Sequence, residues 1–451
     1  MSRSIAAVLG GTFTLRFSTG LTGALLIYYL DALPSFGGPD VGAGIVGVMT
    51  ATYFLAELVL SPIFGLLSDR FGSHRIMQVG PIFGAVAVVA TVLTTDLWLL
   101  GGTRWLEGAA AGASIPSILG FLAMATSGDE LLRGRTVARF EAATLAGLGA
   151  GIVAAGPLFE LMGRTAFLLN AGVYLVSLAI YRYGLRDADV EAAERLAAID
   201  PESPRERHRF DLGRYRAILG SSRVWLLAPT WIALNAIVGA WTTQSVFQLI
   251  DDPRPGFESQ LLMGGFGGVQ VSIGLAVALV VFFAGLAYWG NRFKRLRRTT
   301  IIGIGIAGGL TMVGAVFALN HSSGWPGVVQ LAVGLVIAAG LFVLAGATPA
   351  ALGLLADISE AHPGDRGAIM GLYSVFLGVG QITGSLASGG AAELLGIDGL
   401  LFASLGFLVI ALLPLGRLRA SEHLLEAAEM RAEARREAAA RAAGLGTQGG
   451  R

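Results

Sequence analysis

Apolar stretches of membrane-spanning length recur along most of the chain, separated by short polar turns. A spanning helix needs about 20 mostly apolar residues. Twelve stretches qualify: roughly 7–30, 43–66, 75–95, 98–125, 135–160, 164–184, 224–250, 263–290, 299–319, 326–355, 367–391 and 399–416. Each is read as a helix, because hydrocarbon holds no water to satisfy backbone groups and a helix satisfies its own. The longest internal polar interruption, 186–222, carries alternating acids and arginines near the middle of the chain. The pattern predicts an all-α membrane protein with 12 transmembrane helices in two six-helix bundles, 1–185 and 223–417. A linker at 186–222 joins them, and a polar tail, 418–451, follows.

The two halves are repeats. Adding 233 to each number from Pro116 to Gly163 gives a second copy without a gap, and 14 of the 48 pairs are identical. Pro116 becomes Pro349, Gly120 becomes Gly353, and Arg133-Gly134 becomes Arg366-Gly367. Gly147, Gly151, Gly156, Glu160 and Gly163 become Gly380, Gly384, Gly389, Glu393 and Gly396. Setting Gly20 against Gly239 also places Arg16 level with Asn235, a polar group at one depth in each half.

Composition agrees with a membrane chain. It is 54% hydrophobic and only 14% charged, against about 25% charged in soluble domains, and its mean hydropathy is +0.67. The 65 glycines suit close helix contact in lipid, where small residues let backbones approach. The absence of Cys excludes disulfides and thiolate metal sites. A net charge of +1 carries no argument for nucleic acid, because the charges are segregated along the chain. With a cytoplasmic N-terminus, 28 of the 32 basic residues fall in cytoplasmic loops or tails, and only Arg164 and Arg254 face the other side. The positive-inside rule therefore places both termini in the cytoplasm. The first apolar stretch is too long for a signal-peptide core, so it is read as a retained span. A monomer, multi-pass in the plasma (inner) membrane, is expected.

The turn Gly65-Leu-Leu-Ser68-Asp69-Arg70-Phe-Gly72-Ser73-His74-Arg75 lies between the second and third stretches. It resembles, almost position for position, the loop between helices 2 and 3 of the major facilitator superfamily. That resemblance implies a secondary transporter working by alternating access, with Gly65, Asp69, Arg70, Gly72 and Arg75 bracing the cytoplasmic helix ends during the switch. A worn counterpart, Asn291-Arg292-Phe293-Lys294-Arg295, carries Asn in place of the Asp. Arg104-Trp-Leu-Glu107-Gly108 is similar to the family's helix 4 motif, whose Arg has a role in proton transfer in proton-linked members. Gly147, Gly151, Gly156 and Pro157 resemble the Gly-rich helix 5 motif of antiporters, except that Phe159-Glu160 replaces the Gly pair expected next. The same small residues also suit plain packing of helix 5 on helix 8.

Ionisable residues inside spans are functional hypotheses by default, costing about 2.5–3.5 kcal/mol each at helix centre on insertion scales. Arg16 lies about 13 Å into helix 1 and Glu57 about 12 Å above Gly65, so the two reach similar depth in antiparallel neighbours. As a structural pair they would fasten two helices; as a working pair they would line the cavity and exchange protons or substrate. Glu107 can pair with Arg104 or be the acid that titrates. Glu141 enters helix 5 only about 9 Å deep, within reach of Arg135 or Arg139. All five histidines fall in loops or tails, so a coupling proton must ride on a carboxylate, Glu57 or Glu107, with Arg104 of the helix 4 motif as the further proton-coupling candidate.

The second half lacks ionisable residues at span centres. Trp231, Asn235, Trp241 and Gln244 in helix 7, Gln270 in helix 8 and Gln381 in helix 11 remain. With Arg16 they are the candidate cavity residues, suggesting an amphipathic organic solute; the amides could equally bond between helices. Pro201-Glu202-Ser203-Pro204-Arg205 looks like a sugar-porter signature but sits some 16 residues past helix 6, without that group's helix 7 glutamines. The tail, Ser421 to Ala443, is Ala-, Glu- and Arg-rich and predicts a solvated helix. No Ser/His, paired-Asp or metal-ligand constellation occurs in the spans, so neither an enzyme nor a cofactor is expected. The resemblance is greatest to 12-helix drug/metabolite:proton antiporters, which implies a small organic solute and protons as partners. Alternatives are a proton-linked symporter of an organic anion paired with Arg16, a lysolipid-type transporter, or a transporter-like receptor.

Overall fold

A computed structural model describes residues 3–126, 130–185, 222–250, 255–290, 292, 295–360 and 366–420. The linker, the Pro201–Arg205 motif, most of the Asn291–Arg295 turn and the tail beyond 420 lie outside the described residues. The first half comprises α1 (Arg3–Asp31), α2 (Ala43–Phe71), α3 (Val79–Val92), α4 (Leu97–Ala125), α5 (Glu130–Met162) and α6 (Ala166–Tyr183). The second comprises α7 (Ser222–Ile250), α8 (Gly268–Gly290), α9 (Arg298–Asn320), α10 (Gly327–Leu344, continued by Ala347–Glu360), α11 (Arg366–Leu395) and α12 (Ile397–Leu412). A helix thus occupies each predicted range, and no strand occurs among the described residues. Among the described residues, nine helical stretches are long and apolar enough to cross a membrane; one of them, Leu132–Tyr183, takes in most of α5 and all of α6.

Local chemistry sets several helix ends. Asp96 starts α4, its Oδ1 accepting from the backbone N–H of Trp98 at 2.9 Å and Leu99 at 3.0 Å, which satisfies two donors that no helical carbonyl can reach. Gly72 ends α2 at φ +94°, a conformation that strongly favours glycine. α4 runs through Pro116, whereas α10 breaks after Leu344 and resumes at Ala347. The ring of Pro349 crowds the carbonyl four residues earlier, at Ala345, where the break falls.

The repeat is three-dimensional, and its glycines carry the contacts. A side chain on Gly20 would strike the Leu148 carbonyl, and one on Gly239 the Gln381 carbonyl. Leu148 and Gln381 are themselves equivalent at the 233-residue offset. Gly147 meets the backbone at Phe13 and Cβ of Arg16; Gly380 meets Ile232 and Cβ of Asn235. Gly151 abuts the Phe17 carbonyl as Gly384 abuts that of Ala236. α5 therefore lies on α1 as α11 lies on α7, with Arg16 and Asn235 in matching places.

Each half has its own apolar core, and the first extends over Val246, Phe247, Val271 and Ala392 of the second. The halves meet along two seams that begin on the side away from the termini. One runs down α2 and α11, from Gly42 against the Glu393 carboxylate to Leu58 against Gly378. The other runs down α5 and α8, from Gly156 against Gly268 to Gly149 against Leu279.

Candidate functional site

The charged groups of the first half gather where α4 presses on α2. Gly108 makes this possible, because a side chain there would strike the Tyr53 carbonyl and crowd the Glu57 backbone. The closing Gly of the helix 4 motif thus brings α4 against α2 at the level of Glu57. Arg104 and Glu107 are 5% and 3% exposed and are joined directly, Nη1 donating to Oε2. The Arg104 guanidinium also lies over the Tyr53 ring, 4.8 Å from its centre. Arg104 Nε and Glu107 Oε1 remain without hydrogen-bond partners, so the pair is sealed but incompletely satisfied.

Glu57 is placed differently. It is half-buried, and Arg16, half-buried on α1, acts on it electrostatically. Arg16 acts on Glu141 of α5 as well, so one guanidinium is shared electrostatically by carboxylates of two other helices. No hydrogen bond or ion pair joins it to either among the described residues. The direct Arg16–Glu57 ion pair that matched depth allows is therefore not made. Glu141, exposed on α5, has Arg16 rather than Arg135 or Arg139 as its charge partner.

The polar residues of the second half are engaged in helix contacts. Trp231 is fully buried in the second core. Asn235 Nδ2 donates to the Trp231 carbonyl at 2.8 Å, and Trp241 Nε1 donates to Ser404 of α12 at 3.0 Å. Gln244 reaches across the halves, Nε2 donating to the Ala43 carbonyl at 3.1 Å. Gln270 is exposed in the first turn of α8, where its Oε1 accepts from Gly267 N–H at 3.1 Å. The Gln381 backbone receives Gly239. The side-chain amides of Asn235, Gln244 and Gln270 thus bond between and within helices, whereas Gln381 contributes its backbone.

The polar turn forms a compact corner. Ser68 Oγ donates to Ser73 Oγ at 3.0 Å, and Gly72 N–H donates to the Ser68 carbonyl at 2.9 Å. Asp69 and Arg70 are exposed, with Arg70 over the Phe71 ring at 5.4 Å. Ser73 also meets Gly120 of α4, so this corner touches the end of a third helix. In the helix 5 motif, Gly147 and Gly151 pack on α1, whereas Gly156, like the intervening Gly149, faces α8.

Two residues escaped sequence reasoning as more than repeat identities. Glu160 Oε1 accepts from Val269 N–H at 2.9 Å, and Glu393 Oε2 accepts from Gly44 N–H at 3.1 Å. The available signal was an acid retained at the same place in both copies, at the end of an apolar stretch.

Comparison with known proteins supplies the family. A family model described as Major Facilitator Superfamily matches residues 8–341. The chain is similar to a triacylglyceride transporter of Mycolicibacterium smegmatis, 29% identical over 196 residues, which are 40% of this chain and 33% of that protein. It is similar to multidrug resistance protein 1 of Bacillus subtilis, 24% identical over 76% of this chain and 79% of the relative. A class C tetracycline resistance protein of Escherichia coli is 33% identical over 28% of this chain and 31% of its own. The matches to the triacylglyceride and tetracycline proteins thus span about a third of each relative's length. Among solved structures, the nucleoside transporter NupG aligns with a TM-score of 0.68 at 14% identity, covering 93% of this chain and 99% of the other; at that identity the likeness concerns the fold.

Proposed function

The chain belongs to the major facilitator superfamily, is a multi-pass membrane transporter of small molecules rather than an enzyme, and on that premise we propose that it exports an amphipathic organic solute in exchange for protons. Transport proceeds by alternating access, with Glu57 as the coupling acid. The observation that carries this reading is the contrast between two carboxylates. Glu107 is bonded to an arginine on its own helix and sealed from solvent. Glu57 is half-buried, and its cation, Arg16, sits on another helix without a direct bond.

A proton carrier must exchange one stabilising partner for another during the cycle. Glu57 can do so, because proton and solute compete for one accessible carboxylate. Solute in the cavity favours the ionised form; once it leaves, the carboxylate takes a proton. Arg16 holds the ionised state without locking it, and Glu141 adds a second negative charge at the same guanidinium. Arg104, Glu107 and Tyr53 keep α4 and α2 in register behind this site. The relatives named for multidrug and tetracycline resistance support export of a drug-like solute. The relative named for triacylglycerides keeps an apolar, lipid-type solute in view, as do the uncharged spans of the second half.

Uptake of an organic anion paired with Arg16 is disfavoured by the two carboxylates acting on that guanidinium. A receptor without flux is separated by reconstitution. Proteoliposomes are given a pH gradient and offered tetracycline, a lipophilic dye, a nucleoside and a triacylglycerol. Accumulation of tetracycline or dye that collapses with a protonophore is expected. Binding without flux of any of the four contradicts a transport function.

A further inference from the structure

We propose that Glu160 and Glu393 are twin clasps that hold the two halves together on the side away from the termini, and that both must release for that side to open. The two acids are equivalent in the repeat, and each reaches across to the other half. Glu160, near the end of α5, accepts from Val269 N–H in the first turn of α8 at 2.9 Å. Glu393, near the end of α11, accepts from Gly44 N–H in the first turn of α2 at 3.1 Å. The first N–H groups of a helix have no helical acceptor, and a carboxylate there also meets the positive end of the helix dipole. Each acid therefore caps a helix belonging to the opposite bundle.

The surroundings of the two clasps match. One helical turn before each acid a glycine lets the backbones touch: Gly156 against the Gly268 carbonyl, Gly389 against the Ala43 carbonyl. Glycine also precedes each capped helix, and a side chain there would crowd the carboxylate, at Gly267 for Glu160 and at Gly42 for Glu393. A polar side chain from the remaining inner helix completes each seam. Tyr28 of α1 donates to the Gly268 carbonyl at 3.5 Å, and Gln244 of α7 donates to the Ala43 carbonyl at 3.1 Å. Glu160 stands where the family's helix 5 motif has Gly, so this chain replaces a small residue with a polar latch. Both carboxylates are exposed at the seam edge, where water can take over their hydrogen bonds when the halves part. The acids are positioning residues: they touch no solute and set the balance between two arrangements of the halves.

The inference rests on the alternating-access part of the function proposed above and is independent of solute and coupling ion. Its test needs no transport. The chain has no Cys, so single reporters can be introduced at Ser272 in the α5–α8 seam and at Ser385, whose carbonyl meets Gly47 in the α2–α11 seam, each at most 3% exposed. Maleimide labelling rates are measured on purified protein in lipid nanodiscs. Losing a cap typically changes an equilibrium about fivefold, so Glu160→Ala and Glu393→Ala each raise labelling about fivefold, and the double variant roughly 25-fold if the clasps act additively. Each single variant accelerates labelling at both seams, because the halves open as bodies. Glu→Gln variants, which keep an acceptor oxygen and lose the charge, fall between. Acceleration only at the mutated seam shows local fraying and overturns the clasp. Wild-type rates in the double variant overturn it as well. Reporters that stay unlabelled in every variant overturn both the clasp and alternating access.

Discussion

Arg16 and Glu57 interact across two helices without touching. The guanidinium on α1 acts on the carboxylate on α2, and both remain half-buried. Gly147 and Gly108 produce this placement from either side, by letting α5 lie against α1 at Arg16 and α4 against α2 at Glu57. The bonded pair Arg104–Glu107 lies on α4, which packs against α2 at this level. Two charge pairs at similar depth therefore differ in the property a proton carrier needs, which is freedom to exchange partners.

Glu107→Gln should destabilise the protein. The substitution leaves the Arg104 guanidinium, 5% exposed, without its counter-charge. Breaking a buried pair by removing one partner costs about 3–5 kcal/mol. The expected outcome is a marked drop in Tm and in yield of folded protein, read by thermal denaturation in detergent. The Arg104→Met, Glu107→Leu double variant should recover much of the loss, because it removes both charges. Wild-type Tm in Glu107→Gln would show that the pair bears no structural weight.

Gly151→Leu should separate α5 from α1. The new side chain would run into the Phe17 carbonyl and Leu21 backbone, and backbone has no rotamer through which to yield. Overpacking of this kind costs about 1–3 kcal/mol, again read as a loss in Tm. Gly172→Ala is the control: a Cβ there meets nothing within 4 Å, so Tm should hold or rise slightly. Equal effects at the two positions would contradict the packing account.

Much of the scaffold was legible because lipid removes alternatives. The apolar stretches became helices, and the 233-residue offset reappeared as matched contacts at Gly147 and Gly380. The Arg104–Glu107 pair was readable too, since a three-residue spacing puts both on one helix face. Contacts between helices distant in sequence were less accessible. Depth matching placed Arg16 level with Glu57, but depth carries no information on rotation about the helix axis, and the two stop short of a direct bond. The same ambiguity concealed the engagements of Trp231, Asn235 and Gln244, because amides bond as readily between helices as to a solute. Glu160 and Glu393 were concealed for another reason. Their partners are backbone N–H groups, which every sequence contains.

Asp69→Asn should impair transport far more than binding. Asp69 sits at the corner between α2 and the turn leading to α3, at the opposite end of α2 from the Gly44 clasp. A shift of about 1.4 kcal/mol in the balance between two packed states changes their ratio tenfold. Flux in proteoliposomes is expected to fall by about an order of magnitude or more, while ligand affinity by thermal shift stays within a few-fold. Normal flux would remove Asp69 from the switching machinery.

Orientation is checked with the same cysteine-free background. Ser323 is exposed between α9 and α10, and Ala420 is exposed just past α12. A membrane-impermeant maleimide should label Ser323→Cys in intact cells and Ala420→Cys only after permeabilisation. The opposite pattern would invert the topology and move the polar turn to the outer face.

The most direct test of the account is Glu57→Gln in proteoliposomes, assayed two ways on one preparation. Uphill movement driven by a pH gradient needs a proton carrier; counterflow of labelled against unlabelled solute needs only alternating access. With tetracycline, or whichever probe the wild type accumulates, the variant should lose gradient-driven accumulation and retain counterflow within a few-fold. A Glu57→Gln protein that still concentrates solute in response to the pH gradient would contradict the assignment of Glu57 as the coupling acid.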